Sequence, residues 1–280
     1  MMWQPARSRR PTSRGRSGNE PALPCGPTCS SCSAFVGRVG GTGDEEAGGM
    51  IYLYAIVAGL SDVAAGWLAL EGKTAKIESR YIIGFAAGVL LAVSFLDILP
   101  EVNLKENAHV LALGFLTFYV LEKVMMIHAC GESECETHQI GPVAVVGMAL
   151  DNFIDGVGIA VGYLINPLLG LSITGAVVLH EIPQGITSAV IMREAGWSKK
   201  RTMVALVVAG LLYPLGVTMA ALIPGPFLEK SLAFIAGDFI YIGASDLLPE
   251  AHRKFNWKVI LSVVSGMGFM GVLRFLVPLV

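Results

Sequence analysis

Residues 84–101 read GFAAGVLLAVSFLDILPE, and residues 233–250 read AFIAGDFIYIGASDLLPE. Laid side by side without gaps, seven of the eighteen positions match: Phe85 with Phe234, Ala87 with Ala236, Gly88 with Gly237, Asp97 with Asp246, Leu99 with Leu248, Pro100 with Pro249 and Glu101 with Glu250. Apolar helices share composition, which accounts for the Phe, Ala and Leu. It does not account for D-x-L-P-E closing both segments. The chain therefore carries an internal repeat, and each copy is an apolar run of the length that crosses a bilayer.

Working outward from these two runs, the rest of the chain is of the same kind. Of its 280 residues 54% are hydrophobic and only 15% charged, against roughly 45–50% and 25% in soluble domains. That excludes a disordered chain and argues against a soluble enzyme. The net charge of −2 gives a nucleic-acid partner no basic surface to bind. Apolar stretches at 51–70, 81–99, 108–127, 142–164, 168–192, 203–223, 228–248 and 257–277 predict eight transmembrane helices in an all-α membrane protein.

Lys and Arg fall unevenly between these spans. Lys73, Lys76 and Arg80 follow span one; Arg193, Lys199, Lys200 and Arg201 follow span five; Arg253, Lys254 and Lys258 follow span seven. The even-numbered loops offer only Lys105 and Lys230. The positive-inside rule puts the odd-numbered loops in the cytoplasm and both termini outside. Span two then runs outward and span seven inward, so the repeat is inverted. Inverted repeats are built for alternating access, with the substrate site at the repeat interface near the midplane. Pairing span two with span seven predicts a 3+2+3 bundle with spans four and five at its centre.

Residues 1–49 are a different polymer, with six Arg and many Ser, Gly and Pro but no apolar run. This arm is expected to be disordered, and Met50 is expected to be the biological start of a transporter domain over 50–280. A regulatory tail is the rival reading. Cys25, Cys29 and Cys32 lie in the arm, but three thiols without a fold make a weak metal site. Leaving out the arm's six Arg and four acids leaves 14 basic against 18 acidic residues, a body that carries surplus negative charge.

Several of those acids lie where charge is costly. Span four holds Asp151-Asn152-Phe153-Ile154-Asp155-Gly156, and span five holds His180-Glu181-Ile182-Pro183-Gln184-Gly185. In each block positions i and i+4 share a helix face, which pairs Asp151 with Asp155 and His180 with Gln184. Asn152 and Glu181 stand beside them. Pro183 withdraws a backbone donor and is expected to kink span five. Each mid-membrane carboxylate costs about 2.5–3.5 kcal/mol even on the lenient insertion scale, and the Lys and Arg of the neighbouring spans are confined to their ends, where they cannot offset it. A divalent cation held by carboxylates, imidazole and amide oxygens is the simplest answer. Protonation is the competing one, and both fit a single cycle in which protons replace metal. A polar cluster that merely packs helices is the plain alternative. H-E-I-P-Q also approaches the zinc-protease pattern H-E-x-x-H, but Gln184 stands where the second His is required and Pro183 disturbs the helix.

The two blocks at this separation, framed by the D-x-L-P-E ends, resemble the ZIP (Zrt/Irt-like protein) family of divalent metal transporters. The resemblance covers all eight spans and omits the arm. It implies a binuclear metal centre on spans four and five, uptake of zinc toward the cytoplasm through a plasma or inner membrane, and a homodimer. It makes Asp151, Asn152, Asp155, His180, Glu181 and Gln184 the metal-binding set. The chain departs from the family pattern at Asp151, where His is typical, at Gln184 and Gly185, where acids or His are common, and at Tyr213, where Glu often precedes Pro-Leu-Gly. The first departure enriches the site in oxygen donors. That widens the candidate substrates from zinc to iron, manganese and cadmium. The others remove ligands and weaken a second metal position. A membrane metal sensor or scaffold that binds without transport is the alternative function.

Other residues complete the expected path. Asp97 and Glu101 would form an entrance relay and Asp246 and Glu250 an exit relay, with ordinary interfacial charge as the bland reading. Asp238, near the outer start of span seven, would add to the pathway at its entrance, and Asp62 within span one would line it or pair with a backbone donor. In the loop after span three, His128, Cys130, Cys135 and His138 suggest metal capture at the cytoplasmic mouth, since cytosolic thiols stay reduced; a solvated acidic loop is the alternative.

Overall fold

The computed structural model describes residues 42–72, 79–130, 137–252 and 256–276. Eight helical rods run through them. The first, α1, is Thr42–Leu70, and the second, α2, is Ser79–Ala92 with a π-helical turn Val93–Ile98 and a 3-10 turn Leu99–Glu101. Rods α3 (Leu104–Cys130), α4 (Thr137–Ile165) and α5 (Pro167–Glu194) follow. The sixth, α6, is Lys199–Gly210 resumed as Leu212–Ala220. The seventh, α7, is Gly225–Tyr241, a π-helical turn Ile242–Leu247 and Leu248–Ala251. The last, α8, is Trp257–Leu276.

Six of these helices are long and apolar enough to cross a membrane. Rod α5 is not among the six, since its own His180-Glu181 and Gln184 block lowers its hydropathy. Large apolar side chains such as Leu60, Leu211, Leu222, Phe269 and Val272 stand exposed around the bundle, as they must on a surface solvated by lipid. Helix α1 begins at Thr42 rather than at residue 51. Residues 1–41, which hold most of the arm, lie outside the described residues.

The inverted repeat is present in the backbone. The π turn of α2 occupies Val93–Ile98 and that of α7 Ile242–Leu247, which are aligned positions of the repeat. In each, the N–H of the leucine before proline reaches back five residues, Leu99 to the Ser94 carbonyl and Leu248 to the Gly243 carbonyl. Pro100 and Pro249 cannot donate, and their rings crowd the carbonyl four residues back; an extra residue in the turn relieves both problems.

Helix crossings repeat as well. A methyl on Gly88 of α2 would strike the Val263 carbonyl of α8, and one on Gly237 of α7 would strike the Leu111 carbonyl of α3. The partner glycines Gly266 and Gly114 abut the Phe85 and Phe234 carbonyls in return. Small residues on both sides of a crossing let the backbones touch. Rods α4 and α5 lie against each other, with α1 packed on α5 and α6 on α4, while α2 packs on α8 and α3 on α7; the two halves of the repeat are therefore interleaved around the central pair. At one end of the bundle Lys199 lies 3.8 Å from Glu71. At the other the Asn103 backbone N–H donates to Glu229 at 2.7 Å.

Candidate metal centre

Asp151 and Asp155 lie midway along α4, and His180 and Glu181 lie midway along α5. One donor atom from each comes within 4.8 Å of the other three. Asp155, His180 and Glu181 are buried and Asp151 half-buried. His180 Nε2 lies 3.3 Å from Asp155 Oδ2 and 3.1 Å from Glu181 Oε1. Zinc ligands at about 2.0–2.2 Å in a tetrahedron stand about 3.3 Å from one another. Both separations from Nε2 therefore already match the edges of a zinc polyhedron.

The imidazole orientation points the same way. His180 Nδ1 is 3.1 Å from the Ala176 carbonyl. A carbonyl only accepts, so Nδ1 carries the proton, and a neutral ring then turns its lone pair on Nε2 toward the two carboxylates. A lone pair facing two anions calls for a cation between them. A backbone carbonyl fixing the far nitrogen is the usual support for a metal-bound histidine. Both oxygens of Asp155 and both of Glu181 lack hydrogen-bond partners, which is costly for buried carboxylates unless something binds there. Three carboxylates and one imidazole suit zinc and also harder first-row cations.

The other expected residues divide into two groups. Asn152 is buried and its Nδ2 donates, at 3.4 Å, to Asp62 of α1. Asp62 is itself buried within the field of Glu181 and Asp151. Gln184 is half-buried and its amide faces Asp151. Asp238 is buried midway along α7, beside Asp151 and Asp155, deeper than its reading as a pathway residue near the outer start of the span. These residues adjoin the centre. Asp97 instead lies at the end of α2, 3.6 Å from Arg274 of α8, and Glu101 is exposed on the following 3-10 turn. Asp246 and Glu250 stand at the opposite end of α7 near Glu122, whose carboxylate accepts from the Tyr241 hydroxyl and lies 2.7 Å from Lys123. Helix continues through Pro183, whose ring leaves the Leu179 carbonyl without its helical donor. His128 and Cys130 end α3 and His138 begins α4, while Cys135 lies outside the described residues.

The residue that sequence reasoning undervalued is Tyr213, noted only as a departure from a family pattern. It is fully buried, its hydroxyl has no hydrogen-bond partner, and it faces Glu181. Its backbone packs on Gly156 of α4, just as the Asp62 backbone packs on Gly185 of α5. Asp62 reaches Asn152 and Tyr213 faces Glu181, the second residue of each polar block. Asp62 and Tyr213 are thus counterparts in the repeat. Extending the comparison from α2 and α7 to α1 and α6 would have found this, because Gly59 and Gly210, three residues before each, also pack on one another.

Comparison with known proteins gives the same answer from outside the structure. The family model described as ZIP zinc transporter matches residues 128–274. The zinc transporter ZIP13 of Pongo abelii is 27% identical over 214 residues, covering 68% of this chain and 64% of that protein. The match thus spans a little under two thirds of that relative's length. The ZIP13 homolog of Drosophila melanogaster is 25% identical over 294 residues, covering 75% and 82%. The zinc transporter ZupT of Chlorobium limicola is 27% identical over 249 residues, covering 78% and 94%.

Proposed function

The chain belongs to the ZIP zinc transporter family, and from that membership we propose that it carries a divalent metal cation, zinc first, across a membrane into the cytoplasm. It is an integral membrane protein. The observation that carries the reading is the convergence of Asp151, Asp155, His180 and Glu181 donors within 4.8 Å at the middle of the two central helices. These four residues hold the cation as substrate. Asn152, Gln184 and Asp62 border them and complete its oxygen shell. The centre opens to one side and then the other by alternating access. Asp97 and Glu101 guide entering cations, and Asp246 and Glu250 guide leaving ones. The basic loops face the cytoplasm, both termini face outward, and the host is a plasma or inner membrane. Pairing as a homodimer follows from the family resemblance, as does cytoplasmic capture by His128, Cys130, Cys135 and His138.

The donor set of three carboxylates to one imidazole predicts that manganese, iron(II) and cadmium compete with zinc. A metal sensor would share the centre but not the flux. Purified protein in proteoliposomes is expected to take up zinc down its gradient. Asp155→Ala and Glu181→Ala should each lower that uptake at least about a hundredfold, the scale of removing a directly bound charge. Zinc binding without flux in the wild type would favour the sensor, and wild-type uptake in both variants would place the cation elsewhere.

A further inference from the structure

Asp238 is a buried acid that the central set does not use. It is fully buried, and neither of its carboxylate oxygens has a hydrogen-bond partner. The next residue, Phe239, places its ring edge-on to the His180 imidazole with centroids 6.3 Å apart, so α7 is held against the centre at this level. Asp238 lies within the field of Asp151, Asp155 and His180, yet it is not one of the four residues whose donors converge. The repeat places Val89 of α2, also buried, at the corresponding position. An apolar side chain therefore satisfies the packing there, and no structural contact accounts for the carboxylate on α7.

We propose that Asp238 is a handover ligand: a carboxylate from a third helix that holds the cation during its passage between the α4–α5 centre and the pathway beside it. The proposal rests on reading the central four residues as the cation site. A dication that leaves a buried site must exchange ligands stepwise, since a bare charge in a low-dielectric interior is prohibitively costly. A free carboxylate one step beyond the resting set lowers that barrier. Such a group acts on the rate of passage more than on resting affinity, the signature of an interaction made chiefly in the transition state.

The test is Asp238→Asn in full-length protein, with zinc binding measured by calorimetry in detergent and zinc uptake measured in proteoliposomes. The amide keeps the volume and removes an unpaired buried charge, so thermal stability should hold or rise. Zinc affinity should stay within about threefold of wild type while maximal uptake falls at least about tenfold with little change in KM. Asp238→Glu should recover more than half of the uptake. Uptake within twofold of wild type in Asp238→Asn would overturn the proposal. So would a loss of zinc binding as complete as that of Asp155→Ala, which would make Asp238 part of the resting site. If Asp238→Asn proves unstable, Asp238→Glu decides, and uptake below a tenth of wild type in a folded Asp238→Glu would also overturn it. Absence of zinc binding and uptake in the wild type would instead defeat the reading of the centre itself.

Discussion

In the triplet α1–α3 the π turn Val93–Ile98 carries Asp97, which lies 3.6 Å from Arg274. In the triplet α6–α8 the aligned turn Ile242–Leu247 carries Asp246, which faces Glu122 and Glu250. The same divergence recurs deeper in the bundle. Asp62 of α1 corresponds to Tyr213 of α6, and Val89 of α2 to Asp238 of α7. The backbone, by contrast, is repeated closely, down to the residue at which each π turn begins. Backbone geometry is set by glycine crossings and by proline, which tolerate little change. The side chains that meet the pathway have been free to differ between halves. A path whose two sides carry different charges gives a cation different surroundings on the way in and on the way out.

The equivalence of the two backbones can be broken directly. Gly88→Ala and Gly237→Ala each push a methyl into a carbonyl of the facing helix. Each should destabilise the protein by about 1–3 kcal/mol, against the gain of about 1 kcal/mol that Ala brings to an isolated helix. Matched drops in melting temperature are expected, and a stabilised variant at either position would refute the close crossing there. The divergence of the side chains predicts a smaller, unequal pair of effects. Asp62→Asn removes a full charge beside the cation and should weaken zinc uptake about tenfold. Tyr213→Phe removes only a neutral hydroxyl and should weaken it about threefold. Equal losses in uptake KM would show that the two counterparts do the same work after all.

Much of this was legible in the sequence for identifiable reasons. D-x-L-P-E marks both π turns because the proline that defines the motif also forces the turn, although the motif alone does not distinguish a π turn from a kink. The polar blocks of α4 and α5 are readable because i and i+4 share a face, and Asp151, Asp155 and His180 do converge. The contribution of Glu181 follows from its neighbouring position. Tyr213 was hidden because a tyrosine in an apolar helix reads as packing; that its hydroxyl faces Glu181 emerges only in the fold. The depth of Asp238 was legible in its place at the middle of the run 228–248; what the sequence does not show is that α7 brings it beside Asp151 and Asp155. Asp97 reads as an entrance acid, but its ion pair with Arg274, far along the chain, is not visible in the sequence.

The central claim is that the transported cation is held by Asp151, Asp155, His180 and Glu181. X-ray absorption at the zinc edge, on protein loaded with one equivalent, tests it most directly. The predicted spectrum has a first shell of nitrogen and oxygen alone, at about 2.0–2.2 Å, with the outer scattering of a single imidazole that disappears in His180→Ala. A sulfur shell at about 2.3 Å, or an imidazole signal that survives His180→Ala, would contradict the account and move the metal to Cys130, Cys135 and their neighbouring histidines.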